Sequence, residues 1–323
     1  MPRFAANLSL TFNELDFLDR FAAARRQGFA AVEYLFPYAY PKRELASRLK
    51  NEGLQQVLFN APPGDWERGE RGIAALPGRE AEFRKSLEVA LDYAAALECP
   101  RLHVMAGLVP PGQEAAGYLR TFTQNLSWAA PLAAAAKVQL LLEPLNPIDF
   151  PGYLLGGVTL ACEIIAAIGS DNVSLQYDLY HAQMTQGRLA QTFRDRFDAI
   201  RHVQIAGVPG RHEPDSNQEI DYPFLFSLMD EVGYEGWVGC ERIRCGAQHL
   251  DDGLVDASCD LLDDFCAVHV GAYGVESGAG FGDLHLGVEE RDDEGGCHLA
   301  KSFTFLLATG EFDGVGNVGE VTS

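Results

Sequence analysis

Four residues with oxygen-bearing side chains recur along the chain, each at the end of a short apolar run. They are Glu143, Asp178, Gln204 and Glu241, and their positions are separated by 35, 26 and 37 residues. A strand with its loop and helix takes roughly 30 residues, so this spacing is that of successive βα units. Three carboxylates and one carboxamide that converge can hold a hard divalent cation, and a carboxylate among them can move a proton.

Eight apolar runs that alternate with helical patterns would position these residues. The predicted strands are Phe4–Ser9, Ala31–Leu35, Leu54–Asn60, Arg101–Ala106, Gln139–Glu143, Val173–Asp178, His202–Ile205 and Trp237–Glu241. In the stretches between them, such as 80–98 and 118–137, apolar residues recur at three- and four-residue spacing. Eightfold alternation predicts an α/β fold, a (β/α)8 TIM barrel whose strand ends meet at the C-terminal rim. Two long polar loops, 60–78 and 207–222, would lie on that rim.

The composition changes after Glu241. Residues 242–323 contain 16 Asp and Glu against 4 Lys and Arg, and they are rich in glycine. We therefore predict a barrel domain over 1–241 and an acidic, Gly-rich C-terminal extension over 242–323. If the barrel has its last helix, we expect that helix within 250–268.

The overall composition limits the kinds of partner and the cellular compartment that we expect. The chain has 323 residues, 47% apolar, and a formal net charge of −21, which argues against nucleic acid and against an anionic membrane surface. It contains no apolar run of the roughly 18 residues that a membrane span requires, and its start is unlike a signal peptide. Seven scattered cysteines favour reduced thiols and a cytoplasmic protein.

Several strings in a fixed order carry a family resemblance that spans 1–241. They include MPRFAANLS, LFNAPPGDW, LLEPLN, DLYHAQ, HVQIAGVPGRHEPD and DEVGYEGWVGCE. The chain resembles the hydroxypyruvate isomerase family within the xylose-isomerase-like TIM barrels, and it is most similar to the 2-oxo-tetronate isomerase branch. The family pattern continues with a closing helix, whereas 242–323 match nothing in it. We interpret this segment as the product of a reading-frame change or as a disordered tail.

The resemblance implies a divalent metal held by Glu143, Asp178, Gln204 and Glu241. Oxygen ligands favour Mg²⁺ or Mn²⁺, and the amide of Gln204 leans away from Zn²⁺. The resemblance also implies that Glu143 and Glu241 act in catalysis, moving a proton between C2 and C3 of a 2-oxo, 3-hydroxy acid.

Four further residues are predicted to bind this small-molecule substrate. We expect His181 to hydrogen-bond a substrate oxygen and Arg211 to meet the substrate carboxylate. His212 and Glu213, in the same loop as Arg211, are expected to bind or cover the substrate.

Four readings of the function remain open. Isomerisation of hydroxypyruvate to tartronate semialdehyde stands first, and isomerisation of 2-oxo-tetronate is its close variant. A metal-dependent DNA-repair endonuclease on the same barrel is disfavoured by the charge. An inactive product is the fourth, because of the aberrant tail. The sequence leaves the oligomeric state open.

Overall fold

The computed structural model describes residues 2–215 and 217–241 in full, and further along the chain the backbone of Asp283–Arg291 and Cys297–Leu306. The chain divides into two compact units, Met1–Leu262 and Asp263–Ser323. The last barrel helix predicted within 250–268 lies outside the described residues.

Eight parallel strands close into a barrel in the order of the chain. They are β1 (Arg3–Asn7), β2 (Ala31–Tyr34), β3 (Gln55–Asn60), β4 (Arg101–His103), β5 (Gln139–Leu142), β6 (Val173–Asp178), β7 (Ile200–Ile205) and β8 (Trp237–Cys240). β8 pairs in parallel with β1, with Phe4 opposite Val238, so the sheet has no open edge. The predicted (β/α)8 fold and all eight predicted strands are confirmed.

Helices on the outside of the barrel connect successive strands. They are α1 (Arg20–Arg26), α2 (Lys42–Glu52), α3 (Glu80–Leu97), α4 (Ala115–Ala135), α5 (Val158–Ile168), α6 (Leu179–Thr185), α7 (Leu189–Arg196) and α8 (Tyr222–Glu231). In α3, Phe83, Leu87, Ala90 and Ala94 are buried at three- and four-residue spacing, which gives the helix one face for the sheet. None of the helices in the described part of the chain is both long and apolar enough to cross a membrane.

Most strands end sooner than their apolar runs predict. β5 ends at Leu142 and β8 at Cys240, so Glu143 and Glu241 are the first residues beyond the ladder. The backbone N–H of Glu241 still donates to the carbonyl of Ile205, at 2.9 Å. This bond fixes the start of the side chain at the rim.

The interior of the barrel near the rim is polar. TIM barrels are mostly filled by branched apolar side chains. Here Asn7, Glu33, Gln176, His202 and Gln204 are buried on the inner side, at most 2% exposed. The buried polar layer lies directly beneath the strand ends and positions the groups above it.

The second unit contains an antiparallel pair of strands. β9 (Asp283–Arg291) pairs with β10 (Cys297–Leu306), with a shift of register between Leu299 and Lys301. The predicted extension, 242–323, therefore includes regular backbone over these two segments.

Candidate active site

A cavity of about 170 Å³ opens among the strand ends. Its lining includes three of the four predicted metal ligands, Glu143, Gln204 and Glu241. The fourth, Asp178, ends β6 and is 2% exposed. The strand ends thus bring the four oxygen-bearing side chains to one place.

Glu241 is held by donors on both carboxylate oxygens. Its Oε1 accepts from Asn7 Nδ2 and Gln204 Nε2, each at 2.6 Å. Its Oε2 lies 2.5 Å from Arg211 Nη2. The side chain therefore has a single, well-defined orientation in the cavity wall.

Only one of the two carboxylate oxygens of Asp178 has hydrogen-bond partners among the described residues. Asp178 begins α6, and its Oδ1 accepts from the N–H groups of Tyr180 and His181 at 2.7 and 3.2 Å, as a helix N-cap does. Its Oδ2 is buried and has no hydrogen-bond partner among the described residues. Buried polar atoms without partners are rare, and one way to satisfy them is an ion.

His181 is a neutral donor. Its Nδ1 faces two donors of Asn146, the backbone N–H at 3.2 Å and Nδ2 at 2.8 Å, so Nδ1 must accept and Nε2 carries the hydrogen. Burial and the charge of Arg211 lower the pKa of His181 well below its usual value. The Nε2–H group lies 3.7 Å from Asp178 Oδ2 and forms part of the cavity wall.

Burial is the largest influence on the pKa values of the three acid side chains, Glu143, Asp178 and Glu241. It raises the pKa of Glu143 well above its ordinary value, and the nearby Glu241 and Asp178 raise it further. Burial also raises the pKa of Asp178, and it raises that of Glu241 to about 8. Arg211 opposes all three shifts. One guanidinium is thus too little positive charge to keep all three groups ionised.

This donor set fits a divalent cation. Ligand atoms of Glu143, Asp178 and His181 all lie within 4.8 Å of one another. The free oxygen of Asp178 and the excess of buried carboxyl groups are both relieved by added positive charge. Because the His181 Nε2 carries a hydrogen, the oxygen atoms are the better ligands, and oxygen ligands favour Mg²⁺ or Mn²⁺.

Arg211 lines the cavity, as the predicted carboxylate partner of the substrate should. Burial opposes its charge, but Glu241, Asp178 and Glu143 outweigh burial and raise the pKa of the guanidinium. Its Nη2 lies 3.7 Å from Asp178 Oδ2, in addition to its contact with Glu241. The guanidinium also stacks 5.1 Å above the ring of Tyr180.

His212 and Glu213 are not among the residues that line the cavity. The ring of His212 packs against Gly207 and Gly210, where an added Cβ would lie within 3.0 Å of it. The predicted contact of His212 and Glu213 with substrate stays a prediction.

Sequence reasoning missed Glu33, one of the polar residues that line the cavity. Glu33 on β2 lies 2.6 Å from His202 Nε2 and accepts from Gln204 Nε2 at 2.8 Å. The signal was present, since Glu33 is a lone charge within the apolar run AVEYLF, where an unpaired charge would be costly. His103 is buried too, and burial with the nearby His181 lowers its pKa to about 3, so it is neutral beside Glu143.

Apolar side chains complete the cavity. Trp66, Phe150 and Leu145 line it beside the polar groups. Trp66 lies on the loop after β3, with its ring centroid 5.0 Å from that of Phe36. These side chains give the cavity an apolar wall beside its acid groups.

Comparison with known proteins identifies the family of the chain. The model of the xylose isomerase-like TIM barrel family matches residues 21–264. A 2-oxo-tetronate isomerase of Cupriavidus necator is 52% identical over 76% of this chain and 95% of its own. The hydroxypyruvate isomerase of Escherichia coli is 43% identical over 75% of this chain and 93% of its own.

Solved structures show the same barrel. One described as an AP endonuclease, family 2, from Brucella melitensis has 48% identity and a TM-score of 0.74, over 76% of this chain and 95% of its own. The 3-keto-D-glucoside 4-epimerase of Escherichia coli, at 20% identity and a TM-score of 0.66, covers 83% of this chain and 98% of its own and shares the fold. The chain is an enzyme of the isomerase class and belongs to the xylose isomerase-like TIM barrel family.

Proposed function

We propose that the enzyme interconverts 2-oxo and 3-oxo forms of a small hydroxy acid by moving a proton between C2 and C3. The substrates are hydroxypyruvate, which gives tartronate semialdehyde, and 2-oxo-tetronate, named in the relatives at 52%, 47% and 46% identity. The observation that carries the proposal is the pair Glu143 and Glu241, two buried carboxyl groups with raised pKa values in one cavity.

The two glutamates supply the proton chemistry. A carboxylate removes the proton from C3, the electron pair moves onto the C2 oxygen, and an enediolate forms. A carboxyl group then returns a proton to C2, and the hydroxyl proton on the C3 oxygen passes to the C2 oxygen, which leaves a carbonyl at C3 and a hydroxyl at C2. A carboxyl group that can exist in either protonation state suits both directions of the reaction.

Other groups bind and orient the substrate. His181 donates its Nε2–H to a substrate oxygen, and Arg211 pairs with the substrate carboxylate. A divalent cation held by Glu143, Asp178, Gln204 and Glu241 would stabilise negative charge that develops on the substrate oxygens. The apolar walls at Trp66 and Phe150 strengthen these interactions by excluding water.

The purified protein should therefore convert both acids in the presence of Mg²⁺ or Mn²⁺. Proton NMR of hydroxypyruvate and 2-oxo-tetronate identifies each product directly, and the ratio of kcat/KM decides which acid is preferred. Failure to convert either acid, with metal bound and the fold intact, would defeat the proposal. Nicking of abasic DNA, assayed in parallel, would instead favour the endonuclease reading.

Arg211→Lys should lower kcat/KM for both acids by roughly 10–100-fold, mostly through KM. A single ammonium cannot replace the two parallel hydrogen bonds of a guanidinium, and a charged hydrogen bond contributes about 1.5–3 kcal/mol. Arg194→Lys, at the exposed pair with Glu231, is the matched control and should leave both constants unchanged. Equal kinetics in the two variants would remove Arg211 from substrate binding.

Metal binding should release protons at pH 7. Glu241 has a pKa of about 8, so it is largely protonated in the metal-free protein, yet a carboxyl group binds a cation as carboxylate. Affinity should therefore rise as the pH rises through about 8, because the proton of Glu241 is then lost before the cation binds. Calorimetric titration with Mn²⁺ in buffers of different ionisation enthalpy measures the protons released. A binding enthalpy independent of buffer contradicts this expectation.

A further inference from the structure

Glu33 lies in the barrel interior, where its side chain needs extra space and is unfavourable to bury. Its side chain is 1% exposed, and β8 leaves space for it by having glycine at position 239. A Cβ added at Gly239 would lie 2.3 Å from Glu33 Oε1 and 2.5 Å from its Oε2. A buried carboxylate also loses its hydration, so an apolar side chain would be the ordinary choice here.

The partners of Glu33 all lie at or beneath the candidate active site. Its Oε1 accepts from Gln204 Nε2 at 2.8 Å and from Asn7 Nδ2 at 3.1 Å. The same two nitrogens donate to Glu241 Oε1. Each NH₂ group has two hydrogens, so each amide can bridge the two carboxylates. The other oxygen of Glu33 accepts from His202 Nε2.

This arrangement decides which end of the Gln204 amide is nitrogen. The two ends are alike in size but opposite in chemistry, and only the NH₂ end can donate both to Glu33 Oε1 and to Glu241 Oε1. On the other side, Gln176 Nε2 donates to Gln204 Oε1 at 2.6 Å, which agrees with oxygen at that end. A carbonyl oxygen has a second lone pair, so Gln204 Oε1 keeps one to offer a cation.

We propose that Glu33 is a positioning residue for the cation site: it holds the nitrogen of Gln204 and thereby keeps the amide oxygen as the ligand. The inference rests on the proposed function, because Gln204 is a ligand only if that site binds metal. Groups that orient a metal ligand commonly change metal affinity by roughly 10–100-fold when they are removed. Glu33 lines the same cavity, but in this role it acts through Gln204 and not on the reacting atoms.

Glu33→Gln tests the role with little change of volume. The new side chain can present either NH₂ or oxygen to Gln204, so this contact no longer fixes the orientation of the amide. Titration of the metal-free full-length protein with Mn²⁺ should show an affinity lower by roughly 10–100-fold. The electron paramagnetic resonance spectrum of bound Mn²⁺ should change as well. Phe83→Leu, a core change in α3 outside the barrel sheet, controls for lost stability and should change neither.

A double-mutant cycle shows whether Glu33 acts through Gln204. In a Gln204→Ala background, Glu33→Gln should cost less than about threefold in Mn²⁺ affinity, because the group it orients is gone. Additive losses in the double variant would overturn the inference. If Glu33→Gln fails to fold, Gly239→Ala gives the answer, since the added methyl group displaces the carboxylate without removing its charge. Wild-type affinity in Gly239→Ala would then count against Glu33.

The outcomes separate this inference from the proposed function. Tight Mn²⁺ binding by the wild-type protein, with unchanged affinity and spectrum in Glu33→Gln, overturns the role of Glu33 alone. Absence of Mn²⁺ binding by the wild-type protein overturns the metal site, and the role of Glu33 with it. Loss of affinity in Glu33→Gln with non-additive behaviour supports both.

Discussion

Glu143→Gln and Glu241→Gln should each lower kcat for both acids by roughly 10²–10⁴-fold, the range expected for loss of a general acid or base. A carboxamide has nearly the shape of the carboxyl group, yet it cannot accept the proton from C3 or return one to C2. Rates followed by NMR over hours give the residual activity. Both variants should keep the fold, since an uncharged side chain relieves the crowding of buried carboxyl groups.

Glu231→Gln is the matched control for these variants. It makes the same chemical change at the exposed pair with Arg194, outside the lining of the cavity, and should leave kcat unchanged. Wild-type turnover in Glu143→Gln or Glu241→Gln would exclude that residue from the acid–base pair. A lower kcat in the control as well would point to a general loss of stability.

Removal of divalent metal should have the second large effect. Treatment with a chelator, followed by its removal, should lower kcat at least about 10³-fold, since a cation that stabilises developing charge contributes several kcal/mol. Mg²⁺ or Mn²⁺ should restore activity, and Zn²⁺ should restore less, because the site offers oxygen rather than thiolate ligands. Full activity in protein shown by elemental analysis to be metal-free would contradict the cation site.

The fold was predictable because its signals are local. Each strand is an apolar run of a few residues, and each connection carries a helical pattern, so the eightfold repeat predicts the barrel without knowledge of any contact. The strand ends then follow, which is why Glu143, Asp178, Gln204 and Glu241 could be placed together. The bounds were less predictable, since β4 leaves the ladder after His103 although apolar residues continue.

The polar residues that hold the site from within the barrel were harder to predict, because their contacts form only when the barrel closes. Asn7 and Glu241 are separated by 234 positions, and only the pairing of β1 with β8 brings their side chains together. The strand period does give a hint, since Gln176 and Asp178 share a face of β6, as residues two apart do. Polar residues at such spacing in an otherwise apolar strand predict a polar interior.

Arg211 illustrates a different limit of sequence reasoning. A basic residue in a rim loop predicts a partner for the substrate carboxylate, and its place in the cavity wall agrees with that role. Its contact with Glu241 depends on the path of the loop after β7, which no local pattern specifies. Arg211, the predicted partner of the substrate carboxylate, therefore also contacts Glu241, a predicted acid–base group.

Isomerisation in D₂O is the most direct test of proton transfer by the buried glutamates. The protein is incubated with hydroxypyruvate or 2-oxo-tetronate and a divalent metal, and the product is read by NMR and mass spectrometry. Proton transfer through an enediolate predicts deuterium at C2 of the product, taken from a carboxyl group that exchanges with solvent. Conversion that retains the original hydrogen without deuterium at C2, or no conversion of either acid by metal-loaded protein, would contradict it.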